Sequence, residues 1–110
     1  LHEIALTVRL WAAGKTLVRR VYLFGSRARG DNRPDSEVDL AVVCRIDPKI
    51  GAEFGSDHWQ ARFWFWCDYG PIWQDQLSRL FTAPVDLQAL ARDATRVIRP
   101  SVKRDGIRIV

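Results

Sequence analysis

Apolar residues recur along this chain at two spacings, one typical of helices and one typical of strands. Ile4, Val8 and Trp11 follow i, i+4, i+7, which is the spacing of one helix face. Val85 and Leu87 alternate with polar residues, which is the spacing of one strand face. Together these patterns predict helix 2–16, strand 18–24, loop 30–36, strand 37–44, helical region 58–81, strand 85–90 and a short final strand at 107–110, in that order.

The predicted helical region is rich in aromatic residues. Four of the five tryptophans fall between positions 59 and 73, at helical spacing, which predicts a helical layer over one face of a sheet. Gly70 and Pro71 are expected to interrupt this region, so that it is bent or double. Trp64 is predicted to point away from the other aromatic residues. A surface that binds a partner is therefore a second hypothesis, besides the structural role of these residues.

Composition and length predict one soluble domain over residues 1–110. The chain is 47% hydrophobic and 27% charged, and it contains no apolar stretch or signal-peptide pattern that would indicate a membrane or an export route. We therefore expect a cytoplasmic protein whose two cysteines, Cys44 and Cys67, are reduced core residues. Because the chain does not begin with Met, we expect that further residues precede it in the gene product.

The net charge of +4 comes from arginine more than from lysine, which favours contacts with phosphate or with an acidic partner. Arg92, Arg96 and Arg99 follow i, i+4, i+7, so a helix there would present one basic face. Base-stacking aromatic residues are not interleaved with these arginines. A solvated face is thus favoured over a nucleic-acid site, and a nucleic-acid partner is not expected.

A Gly-Ser pair directly follows the first predicted strand. Gly25 allows the backbone to turn closely, and Ser26 adds a hydroxyl to the backbone N–H groups that such a turn can direct at a phosphate. Arg27 and Arg29 follow within reach of the same phosphates. These residues are therefore the candidate nucleotide-binding group.

Three carboxylates are the candidate catalytic and metal-binding residues. Glu37 and Asp39 are spaced i, i+2 on one strand, so they are predicted to emerge on the same face. Asp86 lies in the middle of another strand, where a charge is costly unless it has a partner or a metal. Together they could hold Mg²⁺ in a two-metal site against a triphosphate, and Asp86 could orient or deprotonate an acceptor hydroxyl.

The chain contains Gly25-Ser26, then ten residues, then Glu37-x-Asp39. This pattern resembles the motif of minimal nucleotidyltransferases in the polymerase beta superfamily. The segment Val85-Asp86-Leu87 resembles the strand that carries the third carboxylate in that family. The resemblance implies an α+β fold of two layers, with a small mixed β-sheet and helices packed on one face. It also implies transfer of AMP from ATP onto a hydroxyl with Mg²⁺. Small members of this kind are often antitoxins of a helical HEPN-type toxin, which implies a protein partner and a possible oligomer.

Glu37 departs from the family pattern, which has aspartate at that position. The extra methylene changes the reach of the carboxylate, whereas Mg²⁺ demands near-ideal octahedral geometry. Two hypotheses therefore stay open. The first is an active enzyme that modifies a partner protein, and the second is a catalytically degenerate module of the same fold that acts by binding its partner.

Overall fold

The computed structural model describes residues 2–44, 58–89 and 98–110, with the backbone alone described over 58–64 and 98–101. Arg92, Arg96 and the side chains of Trp64 and Arg99 lie outside this description. The elements are α1 (His2–Ala13), β1 (Val18–Phe24), α2 (Ser26–Arg29), β2 (Val38–Cys44), α3 (His58–Ser78), β3 (Val85–Ala89), α4 (Ile98–Asp105) and β4 (Ile107–Arg108). The predicted order of helices and strands is confirmed.

The described strands form one mixed sheet in the order β3-β2-β1-β4. β1 is antiparallel to both β2 and β4, whereas β2 and β3 are parallel. In the register of the parallel pair, Asp39 lies beside Asp86, and across the antiparallel pair it lies beside Phe24. Since cross-strand partners share a face of the sheet, these three side chains emerge on the same side.

The opposite face carries the main core, against which α1 and α3 pack as predicted. Within α1 the expected stripe is confirmed, because Ile4, Val8 and Trp11 are buried. Trp11 meets Trp73 of α3 edge to face at 5.8 Å and donates from its ring nitrogen to Gln76 at 3.0 Å. Side chains with no exposed surface on this side are Val8, Val21, Leu23, Leu40, Val42 and Leu77. Burial of this kind contributes about 1.5–3 kcal/mol for each large side chain.

The expected interruption at Gly70 and Pro71 is wrong, because α3 continues through both residues to Ser78. Trp73, one turn beyond, packs against Tyr69 at 5.5 Å and against Trp66 at 6.2 Å. A Cβ on Gly70 would lie 2.9 Å from the Trp66 ring, so glycine is what allows this ring to lie against the helix. Aromatic packing across the proline thus outweighs the local tendency to end the helix.

A smaller cluster lies on the face that carries Asp39 and Asp86. Phe24 and Ala41 pack there against Val102 of α4, with Tyr22 beside them. The turn after α4 is closed by the Gly106 N–H, which donates to the Val102 carbonyl at 2.7 Å. The last helix therefore covers part of the acidic face.

The interpretation of both cysteines as core residues is partly wrong. Cys44 ends β2 and is half-buried, but Cys67 is exposed on α3. Position 67 lies about 200° around the helix from Phe65, which enters the core, so the side chain of Cys67 faces the other way.

Among the described helices, none is long and apolar enough to cross a bilayer.

Candidate active site

The bend after β1 depends on glycine. Gly25 has φ 75° and ψ −157°, a region of backbone space that is essentially restricted to glycine. A Cβ at this position would overlap a carboxylate oxygen of Asp39 and would lie 3.1 Å from its Cγ. Two independent constraints, one on conformation and one on space, therefore require glycine where the chain passes beside Asp39.

α2 begins directly after this bend and is a single turn. The N–H groups of Ala28 and Arg29 both donate to the Gly25 carbonyl at 3.1 Å. Gly30 ends the turn in the left-handed conformation, φ 84°, and its N–H donates to the Ser26 carbonyl at 2.9 Å. The bend and the turn thus hold Ser26 and the start of α2 next to the acidic face of the sheet.

The structure brings together the three predicted carboxylates from two separate segments of the chain. Glu37, Asp39 and Asp86 each offer an oxygen, and these oxygens all lie within 4.8 Å of one another. Asp39 and Asp86 are half-buried neighbours in the parallel pair, and Glu37 is exposed one residue before β2 begins. The Val38 N–H donates to the Pro84 carbonyl at 2.8 Å, which ties the starts of the two strands together.

The pKa of Asp39 is raised to about 6, mainly by burial and then by the neighbouring charges of Asp86 and Glu37. The positive charge of Arg29 acts in the opposite direction. Ionised carboxylates this close repel one another, and a cation between them would relieve the repulsion. A cluster made only of carboxylate oxygens suits a hard divalent cation such as Mg²⁺, so the residues present fit the metal that the sequence predicts.

Arg27 holds the loop that leads to Glu37. Its Nε and Nη2 donate to the Ser36 carbonyl at 3.2 and 2.9 Å, and Nη2 also donates to the Pro34 carbonyl at 3.2 Å. This guanidinium therefore positions the segment immediately before β2. Its predicted contact with a phosphate stays a prediction.

Arg29 connects α2 to the end of α4. Its Nε pairs with Asp31 at 3.2 Å, and its Nη1 pairs with Asp105 at 3.1 Å. The side chain of Asp105 is only 9% exposed and also accepts from Arg104 at 3.0 Å. Hydrogen bonds from Arg104 and Arg29 hold the pKa of Asp105 below its usual value. The cation of Arg29 is thus held in place beside the acidic cluster.

Sequence reasoning did not single out Gln88, which lies next to the cluster. Its side-chain amide donates to Asp86 Oδ1 at 2.8 Å. The available signal was the i, i+2 spacing of the two residues on one strand face, which makes such a contact possible without requiring it.

Residues 11–110 match the family described as polymerase beta, nucleotidyltransferase. The chain belongs to this family. The matched range includes every predicted site residue of this minimal nucleotidyltransferase, from Gly25 to Asp86. No curated protein matched the chain by sequence.

Solved structures of similar fold include toxin–antitoxin structures. A double Asp→Glu variant of MntA–HpeT is 22% identical, with TM-score 0.62, over 97% of this chain and 72% of that one. A toxin–antitoxin structure with AMP-PNP is 22% identical, with TM-score 0.62, over 100% of this chain and 73% of that one. MntA–HepT is 18% identical, with TM-score 0.57, over 100% and 72%. At these identities the likeness shows the fold, and it confirms the predicted α+β class.

Proposed function

We propose that this protein is a Mg²⁺-dependent nucleotidyltransferase that transfers AMP from ATP onto a hydroxyl of a partner protein, as the antitoxin of a helical HEPN-like toxin. The observation that carries the proposal is the convergence of Glu37, Asp39 and Asp86 within 4.8 Å, beside the glycine bend. Family membership supports nucleotidyl transfer in general. The relatives of similar fold, which are toxin–antitoxin complexes and include one with AMP-PNP, support the nucleotide and the kind of partner.

Glu37, Asp39 and Asp86 would hold the metal in this proposal. When bound, Mg²⁺ neutralises the negative charge that develops around the phosphate under attack. Burial, and then the charges of Asp86 and Glu37, raise the pKa of Asp39, and a bound cation would relieve the repulsion between these charges, which supports the assignment. The exposed Glu37 would close the solvent side of the group.

Gly25, Ser26 and the start of α2 would bind the triphosphate. Backbone N–H groups and the Ser26 hydroxyl are donors suited to phosphate oxygens, and a bend without a Cβ allows them to come close. Arg29 is the cation held beside the acids, so it would add positive charge on the phosphate side. Arg27 would act mainly through the loop that it holds, with a phosphate contact as its second predicted role.

Asp86 would orient the acceptor hydroxyl and accept its proton. The acceptor oxygen forms a bond to the α-phosphorus, the bond to the β-phosphate oxygen breaks, and pyrophosphate leaves. A tyrosine hydroxyl presented by the partner would suit this role, because Asp86 is only half-buried among the described residues.

The second candidate function is a catalytically degenerate module that acts by binding its partner. The observation that favours it is Glu37, which is exposed and lies outside β2, on a side chain longer than the usual aspartate. Mg²⁺ tolerates little deviation from octahedral geometry, so a more mobile ligand weakens the site.

Incubation of the protein with labelled ATP, Mg²⁺ and the purified helical partner separates the two functions. The first predicts a labelled partner with wild type, no label with Asp39→Ala, and binding of the partner by both. Glu37→Asp tests the length of the side chain, since a gain of labelling means that the extra methylene hinders transfer. Absence of label with any divalent metal, together with a complex that survives Asp39→Ala, would contradict the first function and support the second.

A further inference from the structure

A side-chain amide fixes the carboxylate of Asp86. The Nε2 of Gln88 donates to Asp86 Oδ1 at 2.8 Å, and both side chains are half-buried on the same face of β3. An ionised carboxylate can only accept, so the amide must present its nitrogen to it. One oxygen of Asp86 is therefore held by the chain itself, which restricts rotation of the carboxylate.

A second amide fixes the backbone on both sides of Asp86. The Oε1 of Gln74 in α3 accepts from the Leu87 N–H at 2.8 Å, and its Nε2 donates to the Val85 carbonyl and to the Ser78 hydroxyl, the latter at 3.1 Å. β3 is the outermost of the described strands on its side of the sheet. The carboxamide of Gln74 thus bonds to the outer edge of β3 as a residue of a further strand would.

Asp86 needs such support more than the other acids do. It comes from a different strand than Glu37 and Asp39, and from an edge strand that only one other described strand pairs with. Its carboxylate lies within 4.8 Å of two other carboxylates, and like charges at this separation repel. Without a restraint, rotation of the side chain toward solvent would lower this repulsion and take one oxygen out of the cluster.

We propose that Gln88 and Gln74 are positioning residues for Asp86. Gln88 holds the carboxylate and Gln74 holds the strand, and together they keep Asp86 within ligand distance of Glu37 and Asp39. This inference rests on the proposed metal-dependent function and extends it to two residues outside the ligand group. Partners that orient ligands in this way commonly affect metal affinity by about 10- to 100-fold.

The test is a calorimetric titration of the full chain with Mn²⁺, with thermal melts of the same samples without metal. Gln88→Leu removes the donor at similar volume, and we expect Mn²⁺ affinity to fall about 10-fold with little change in melting temperature. Gln74→Leu is expected to lower both the affinity and the melting temperature. Gln76→Leu is the matched control, because Gln76 lies on the same helix and bonds to Trp11 instead of β3. It should lower the melting temperature and leave the affinity unchanged.

The outcomes separate this inference from the function on which it rests. Wild type that binds Mn²⁺, loses binding in Asp39→Ala and keeps full affinity in Gln88→Leu would overturn the inference alone. Equal losses of affinity in Gln74→Leu and Gln76→Leu would show a general loosening of α3 and would overturn the role of Gln74. Wild type that binds no Mn²⁺ would overturn the proposed function and this inference with it.

Discussion

The two faces of the sheet carry different kinds of side chain, although the same strands form both. On the helix-covered face, aliphatic side chains such as Leu23 and Leu40 have no exposed surface. On the other face lie Asp39, which precedes Leu40 in β2, and Asp86 of β3. Both are half-buried, on the face that also carries the small cluster around Val102. Because side chains alternate between the faces, every second residue of a strand can stabilise the fold while the residues between them carry the charges.

This difference has a thermodynamic consequence. Burial on the helix-covered face stabilises the folded chain, whereas the acids on the other face repel one another and are partly removed from water. The first face therefore offsets a cost that arises at the second. Four substitutions, each with a control from the same chain, test whether one face provides stability and the other carries the site.

Leu77→Ala should have the largest effect on stability, because it removes a side chain of the helix-covered face with no exposed surface. We expect a loss of about 2–5 kcal/mol in the free energy of unfolding, measured with urea. Leu80→Ala is the control, since Leu80 is 51% exposed, and it should change stability by no more than about 0.5 kcal/mol. Similar losses in both variants would mean that the two positions are not buried differently.

Gly25→Ala should disrupt the acidic face. The new Cβ meets the Asp39 carboxylate, and the backbone conformation disfavours any side chain, so we expect a loss of about 1–3 kcal/mol and of Mn²⁺ binding. Gly14→Ala is the control, because a Cβ there has nothing within 4 Å and Gly14 has no positive φ. A Gly25→Ala protein that keeps wild-type affinity for Mn²⁺ would contradict the close approach of the bend to Asp39.

Asp39→Asn should stabilise the metal-free protein in a pH-dependent way. The pKa of Asp39 is raised from 3.8 to about 6, so folding favours its protonated form, and this contribution is lost as the pH rises from about 4 through about 6. The variant should therefore have a higher urea midpoint than wild type at pH 7.5, with a smaller difference at pH 5. Saturating Mg²⁺ should stabilise wild type and leave the variant unchanged.

Asp75→Asn is the control for that experiment. Asp75 is 62% exposed and pairs with Arg79 on the surface of α3, so the variant should differ from wild type by a small amount at both pH values. An Asp39→Asn difference that is the same at pH 5 and at pH 7.5 would show that the carboxyl does not titrate in this range.

Asp105→Asn should have the smallest effect on stability and a selective effect on nucleotide binding. It weakens the pair that holds Arg29 beside the acids, so we expect the KM for ATP to rise several-fold while kcat changes little. Steady-state kinetics at saturating Mg²⁺ measures both constants, and Asp75→Asn again serves as the control. A fall in kcat with an unchanged KM would place the role of Asp105 elsewhere.

Local patterns sufficed for most of the elements. The helical spacing of Ile4, Val8 and Trp11 predicted α1, although the helix ends at Ala13, three residues before the predicted limit. The strand prediction for 18–24 matches β1. The continuity of α3 through Pro71 was missed, because it depends on rings that pack against one another and on Gly70 beneath Trp66, which a turn-by-turn reading of the sequence does not weigh.

The sequence by itself determined the chemical groups and part of their arrangement: a glycine bend after a strand, and two acids spaced i, i+2 that emerge on one face. These follow from short-range geometry, because the strand period and the preferences of glycine act within a few residues. The charge of Asp86 in mid-strand and the family resemblance predicted that it joins Glu37 and Asp39, but only the tertiary structure brings the three together and places two glutamines against Asp86 and its strand. That convergence depends on the parallel register of β2 and β3 and on α3 lying against the edge of the sheet. Both are contacts between segments far apart in the chain, which no local spacing specifies.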